Sequence, residues 1–242
     1  GEVESPGGGT DHRLQGRDLQ PVRVAGEGLR RFRRRPMARV RLIFSKRGRV
    51  CFVPHVEMPA LFCRAFRRAG ARIQLTEGMS PRPKISLGPA LPVGVPALEE
   101  PLEVWVEHWE GGIGESVNDF LPQGVTVLRF GVVEGRPRLN EECVAALYGV
   151  YFRETRAFER IRAMVSDGWV PVGRTLDISA SEGWMDVAVA SPGQTGGGTI
   201  VKSLVKEGVV RSWSELLVTR LAVGGWSGER VTPLTCEGGE PR

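Results

Sequence analysis

The chain has 242 residues, of which 41% are hydrophobic and 25% are charged, and its formal net charge is +5. This composition excludes a fibrous or wholly disordered chain, and the length suffices for one large domain or two small ones. No apolar run approaches the roughly 18 residues of a membrane-spanning helix and no signal peptide is visible, so we expect a cytoplasmic protein with no membrane partner.

The charge is distributed unevenly along the chain. Residues 37–95 contain eleven Lys and Arg but only two acidic residues, whereas residues 96–242 contain fourteen basic and twenty-one acidic ones. A basic block beside an acidic block indicates an anionic ligand for the first half. The alternative is a solvated surface that merely keeps the protein in solution.

The four cysteines and three histidines do not form a metal-binding motif. Cys51, Cys63, Cys143 and Cys236 are irregularly spaced and include no C-x-x-C pair. We therefore predict no metal site and no cofactor, and a protein that binds a partner rather than an enzyme.

The first half begins with a segment that has no hydrophobic periodicity. Residues 1–36 are rich in Gly and Arg, which predicts a disordered basic N-terminal extension. From Arg39 onward alternating apolar residues predict a strand, and apolar residues at helical spacing predict an amphipathic helix over residues 56–69. Further elements complete a β-α-β-β-α-β order, the ferredoxin-like split motif: strands at 72–76, 102–106 and 125–133, and a short helix at 117–121.

The second half repeats that order less clearly. Its predicted elements are a strand at 143–152, a helix at 156–165, paired strands at 172–178 and 184–189, a strand or helix at 200–205, a helix at 212–221 and a strand at 231–234. We therefore predict an α+β fold of two tandem ferredoxin-like lobes, at residues 37–135 and 140–234. A flexible tail is predicted for residues 235–242.

The loop from Glu77 to Lys84 is the most informative stretch of the sequence. Pro81 and Pro83 restrict the backbone on both sides of Arg82, and Lys84 follows directly. A rigid loop that presents cations loses little entropy when it binds an anion, so we predict a functional loop rather than a stiff connection. Its predicted supporting residues are Glu77, Gly78, Ser80, Pro81 and Pro83.

Several motifs together resemble one bacterial family. They are the run from Phe44 to Gly48, the run from Val53 to Glu57, the loop Glu77 to Ser86, and Leu91-Pro92-Val93-Gly94. They are similar to the radical SAM-linked domain of unknown function 2344, over roughly residues 37–230. Members of that family are fused to a radical S-adenosylmethionine protein or encoded beside one, so the resemblance implies a radical SAM enzyme as partner.

The sequence departs from the family pattern in three places. The family has Ser-His-Leu-Asp where this chain has Pro54-His55-Val56-Glu57. The family has Asn-Pro-His-Pro-Lys where this chain has Ser80-Pro81-Arg82-Pro83-Lys84, and Arg-Pro where this chain has Ser179-Ala180. Losing that histidine argues against a shared catalytic role, whereas Arg82 keeps a cation for anion binding. Because the chain lacks the cysteine cluster of a [4Fe–4S] centre, it resembles the standalone accessory form without the radical SAM domain.

The resemblance and the basic first half together predict an RNA-binding accessory protein that serves a radical SAM enzyme in RNA modification. The predicted RNA-contacting residues are Ser45, Lys46, Arg49, His55, Arg64, Arg67, Arg68, Arg82 and Lys84, with Asp177 in support. One alternative is a metal-independent RNA-processing enzyme in which His55 is catalytic. The other is an adaptor that docks on the radical SAM enzyme and touches no nucleic acid.

Overall fold

The computed structural model describes residues 1, 37–135 and 137–236. Residues 2–36, predicted as a disordered extension, and residues 237–242 of the predicted tail lie outside the described residues. The described part of the chain has a mixed α+β fold with a mostly antiparallel nine-stranded sheet and five α-helices.

The described residues of the first half form four strands and two α-helices, with two of the strands between the helices. Its elements are β1 (Ala38–Lys46), α1 (Met58–Arg68), β2 (Ile85–Leu87), β3 (Ala97–Val106), α2 (Gly111–Ser116) and β4 (Val125–Val132). Short 3-10 turns lie at Gly48–Phe52, His55–Glu57 and Val117–Phe120. Pro59 stands in the first turn of α1, where its missing N–H costs no helical hydrogen bond.

The second half begins with the short helix α3 (Leu139–Glu142), which connects the two halves. Its remaining elements are β5 (Ala145–Phe152), α4 (Thr155–Ser166), β6 (Thr175–Ser181), β7 (Trp184–Ala190), α5 (Gly197–Lys206), β8 (Leu216–Trp226) and β9 (Val231–Pro233). A 3-10 turn at Trp213–Glu215 precedes β8.

The strands of both halves join in one sheet. The main path runs β4-β1-β3-β8-β5-β7-β6, with β2 paired to β3 and β9 paired to β8. The two halves meet where β3 runs parallel to β8, with Ala97 opposite Arg220. This junction, which we call the seam, brings residues far apart in sequence into contact.

Each half has its own apolar core. In the first half Val40, Leu42 and Phe44 alternate along β1 and pack against Phe62 and Phe66 of α1. The Phe44 and Phe62 rings meet edge to face with centroids 4.9 Å apart, a favourable aromatic geometry. In the second half α4 and α5 pack against β5, β7 and β8.

Three predicted elements differ from the structure. The helix predicted at 117–121 is the 3-10 turn at Val117–Phe120, which follows α2. The segment predicted as a helix at 212–221 forms a 3-10 turn and then the start of β8. Because β8 lies between β3 and β5, it forms hydrogen bonds along both edges, and these outweigh the local helix propensity. The predicted strand at 72–76 contributes only the isolated bridges Ile73–Val106 and Leu75–Pro83. The segment at 200–205, open between strand and helix, lies in α5.

No helix in the described ranges is long and apolar enough to cross a membrane.

Candidate functional site

Three exposed arginines line one groove on the surface of the first half. Arg49 lies in the 3-10 turn after β1, while Arg64 and Arg68 lie one helical turn apart on α1. The opposite wall is residues 119–123, and the groove has a volume of about 730 Å³. Residues four apart on a helix project from the same face, so the fold brings three of the predicted RNA-contacting residues together.

The groove wall is fixed to the turn that carries Arg49. The Arg47 amide donates a hydrogen bond to the Gly124 carbonyl at 2.7 Å. Gly124 has a φ of +97°, and a Cβ added there would lie 2.3 Å from the Arg47 carbonyl oxygen. Only glycine allows the two backbones to approach this closely, so Gly124 helps to set the width of the groove.

We expect Gly124→Ala to lower the free energy of unfolding by roughly 3 kcal/mol, because the new methyl group adds a clash to a strained φ. Gly228 is the matched control, since it has a φ of +99° and nothing within 4 Å of an added Cβ. Gly228→Ala should cost only about 1 kcal/mol, from backbone strain alone. Urea denaturation measures both, and equal losses would contradict the close approach at Gly124.

The groove is electrostatically positive. Arg49, Arg64 and Arg68 are exposed and form no ion pair with any described residue, and Asp119 is the one carboxylate among the lining residues. The exposed Arg67, also predicted to contact RNA, lies on α1 but does not line the groove. Unpaired guanidinium groups in a concave surface attract phosphates and bind them through two parallel hydrogen bonds.

The loop from Glu77 to Lys84 forms a separate arm, none of whose residues lines the groove. The Thr76 amide donates to the Arg82 carbonyl at 2.7 Å, and the Arg82 amide donates to Thr76 Oγ1 at 3.0 Å. Arg82 is exposed, as are the supporting residues Glu77, Gly78, Ser80 and Pro81, whereas Pro83 is half-buried.

Lys84 lies at the base of the arm rather than at its tip. It is half-buried, and its Nζ lies 4.8 Å from the centroid of the Trp105 ring, a cation–π distance. The arm therefore presents one exposed cation, Arg82, instead of the predicted pair.

Ser45 and Lys46 do not lie on the surface. They are 5% and 2% exposed, respectively. A register shift between Phe44 and Lys46 marks the end of β1, and Lys46 Nζ donates to the Val53 carbonyl at 2.7 Å. Burial lowers the pKa of Lys46, and Arg220 lowers it further.

His55 and Lys46 belong to a cluster of charged and polar side chains at the seam. The other members of this seam cluster are Glu100, Arg220 and Tyr148, none of which the sequence analysis identified. Arg220 is fully buried, is paired with Glu100 through two hydrogen bonds, and donates to the Pro89 carbonyl at 2.8 Å. Its Nη1 also lies 3.5 Å from the Tyr148 hydroxyl. The sequence feature that could have identified Arg220 is its position as a lone charge within the apolar sequence of β8.

Burial lowers the pKa of His55, and the positive charges of Arg220 and Lys46 lower it further. The unfolded chain therefore binds more protons than the folded chain between the lowered pKa and the ordinary value of 6.5. The folded protein is therefore most stable with respect to His55 above pH 6.5, where the imidazole is neutral. That stability is lost as the pH falls through the folded pKa.

We expect His55→Gln to make the free energy of unfolding depend less steeply on pH below neutrality. Urea denaturation of the wild type and the variant over a series of pH values measures this difference. Parallel pH profiles would show that His55 carries no proton-linked stability.

The side chains of the first half that could transfer protons in a nuclease are divided between two places. Lys46 and His55 belong to the seam cluster, whereas Glu77 and Lys84 lie on the arm. Asp177 lies on β6, four strand spacings from β3, or roughly 19 Å across the sheet, so it does not join either group. Within the described ranges, no three His, Cys, Asp or Glu side chains are grouped so that they could hold a metal ion.

Comparison with known families gives one match. Residues 39–178 match a family described as an uncharacterized protein conserved in bacteria, DUF2344. The matched region includes β1, α1, the arm, the groove and the first strands of the second half. No curated protein matches the chain.

Proposed function

The chain belongs to the family of uncharacterized bacterial proteins DUF2344, and on that premise we propose that it is an RNA-binding accessory protein. The observation that carries this proposal is the groove in which Arg49, Arg64 and Arg68 converge. Guanidinium groups suit phosphate oxygens, and a groove that follows a backbone binds RNA without reading its bases.

The distribution of charge supports the same proposal. Residues 37–95, which include all three groove arginines and the arm, contain nine more basic than acidic residues. Such a block raises the local concentration of a polyanion and speeds its association.

We also propose that each half is a ferredoxin-like lobe. The strand order is β4-β1-β3-β2 in the first half and β8-β5-β7-β6 in the second, so both halves place their fourth, first, third and second strands side by side. This order is the one expected for a β-α-β-β-α-β unit. It supports two related lobes that share one sheet through β3 and β8.

A docking role on a radical SAM enzyme is the second candidate function. Phe52 and Val56 are 69% and 79% exposed, beside the groove arginine Arg49 in sequence. Exposed large apolar side chains of this kind are typical of protein-binding surfaces. The radical SAM enzyme is proposed as the partner because of the family resemblance. Binding of the chain to such an enzyme, without binding to RNA, would favour the adaptor role.

Photo-crosslinking to a single-stranded RNA that contains 4-thiouridine tests the RNA-binding proposal. We expect crosslinked peptides from the groove elements, Gly48–Phe52 and Met58–Arg68, and from residues 119–123. Crosslinks confined to the arm would assign binding to Arg82 instead, and an absence of crosslinks at low salt would eliminate the proposal.

The same reactions test the enzyme alternative, because an accessory binding protein should leave the RNA at full length. Cleavage that is lost in His55→Ala while crosslinking persists would replace the accessory role with RNA processing.

A further inference from the structure

The second half carries an exposed aromatic pair on one face of its sheet. Tyr148, Val150 and Phe152 of β5 point into the core beside α4 and α5. Side chains alternate along a strand, so Tyr151 points to the opposite face. There it meets its cross-strand neighbour Trp184 with ring centroids 5.2 Å apart, and the two residues are 38% and 37% exposed.

The aromatic pair belongs to a row that crosses four strands. The cross-strand partners in this row are Ser181, Trp184, Tyr151 and Leu217, from β6, β7, β5 and β8. Leu217 is 43% exposed, so the row is open to solvent at its β8 end as well. We call this surface, with the row below it, the aromatic face.

The next row brings a carboxylate beside the rings. Asp186 lies opposite Gly149. A Cβ at Gly149 would lie 3.3 Å from Leu221 and 3.4 Å from both Trp184 and the Asp186 Oδ1 atom, so these three side chains already close over the glycine. The edge of the Trp184 ring and the Asp186 carboxylate therefore adjoin each other on this face.

The strands of the aromatic face carry acidic side chains and no exposed basic one. Strands β5, β6, β7 and β8 contain a single basic residue, Arg220, and it is buried in the seam cluster with Glu100. Asp186, and Asp177 one row beyond it on the same side of the sheet, form no ion pair with any described residue. Burial raises the pKa of Asp186, as expected for a carboxylate that no cation stabilises.

We propose that the aromatic face docks an arginine-bearing segment of a partner protein. A guanidinium group stacks on an aromatic ring through cation–π attraction and donates two hydrogen bonds to a carboxylate, and the exposed rings and Asp186 offer both within one side-chain length. Charge decides between this occupant and a nucleic acid, because two uncompensated carboxylates repel phosphates and attract a cation. The site is independent of the arginine groove, which lies on the first half.

Binding of a blocked hexa-arginine peptide, followed by isothermal titration calorimetry at low salt, tests this site. We expect Trp184→Ala to weaken binding about tenfold and Asp186→Asn to weaken it about fivefold, since each removes one of the two contacts. Trp184→Phe keeps an aromatic ring and should bind within about threefold of the wild type, which separates loss of stacking from misfolding.

Asp167→Asn is the matched control, because it removes one negative charge at the exposed end of α4, on the helical side of the sheet. Its affinity should equal that of the wild type. Equal weakening by Asp167→Asn and Asp186→Asn would overturn the proposal in favour of diffuse charge attraction. Binding of a single-stranded RNA that Trp184→Ala abolishes, without peptide binding, would overturn it in favour of base stacking.

Discussion

Replacing Arg220 with Met should lower the free energy of unfolding by about 3–5 kcal/mol, since it leaves a buried carboxylate without its cation. Arg220 is 0% exposed and Glu100 is 3% exposed. The guanidinium also donates hydrogen bonds to the Pro89 and Ala90 carbonyls at 2.8 and 3.2 Å, and Met has no donor to replace them. The single side chain therefore holds β3, β8 and the loop before β3 together at the seam.

Arg129→Met is the control for Arg220→Met. Arg129 pairs with Glu99, the neighbour of Glu100, but the two side chains are 34% and 26% exposed. Solvent screens this pair, so its loss should cost less than about 1 kcal/mol. In urea denaturation, the double variant Arg220→Met with Glu100→Leu should recover part of the loss, because no charge is left buried. An Arg220→Met variant no less stable than Arg129→Met would contradict a structural role for the pair.

The local elements of the first half could be predicted because their sequence periodicity is strong. The apolar spacing that predicted a helix at 56–69 corresponds to α1 at Met58–Arg68, preceded by a 3-10 turn. The prediction of a helix at 212–221 was wrong for the opposite reason. β8 lies between two other strands, and a short apolar run that is buried by partners distant in sequence has no periodicity of its own.

The site could be predicted only in part. Arg49, Arg64 and Arg68 were identified as basic residues, but their convergence depends on how residues 119–123 pack against α1. Lysine is usually a surface residue, but Lys46 is buried because the end of β1 turns its side chain toward the Val53 carbonyl. Glu100 and Arg220 are 120 positions apart, and only the strand order brings them together.

The three groove arginines should account for most of the affinity for RNA. Replacing Arg49, Arg64 and Arg68 together with Gln should weaken the binding of single-stranded RNA by about 100-fold at low salt, since three phosphate contacts are lost. The substitutions keep polar side chains at exposed positions, so we expect the free energy of unfolding to change by less than about 1 kcal/mol.

A control triple variant removes the same charge from the second half. Arg153, Arg156 and Arg211 are exposed and lie outside the groove. Their joint replacement with Gln should reduce RNA affinity by only about threefold, through the change in net charge alone. The difference between the two triple variants separates a localised binding site from general electrostatic attraction.

The most direct test of RNA binding in the groove is the salt dependence of affinity, measured by fluorescence anisotropy with a labelled single-stranded RNA. Each phosphate contact contributes about 0.7 to the slope of log affinity against log salt for a single strand, because it releases counterions. The groove triple variant should therefore have a slope shallower by about 2, while the control triple variant keeps the wild-type slope. Equal slopes for the wild type and the groove variant, or no binding by the wild type at low salt, would contradict RNA binding in the groove.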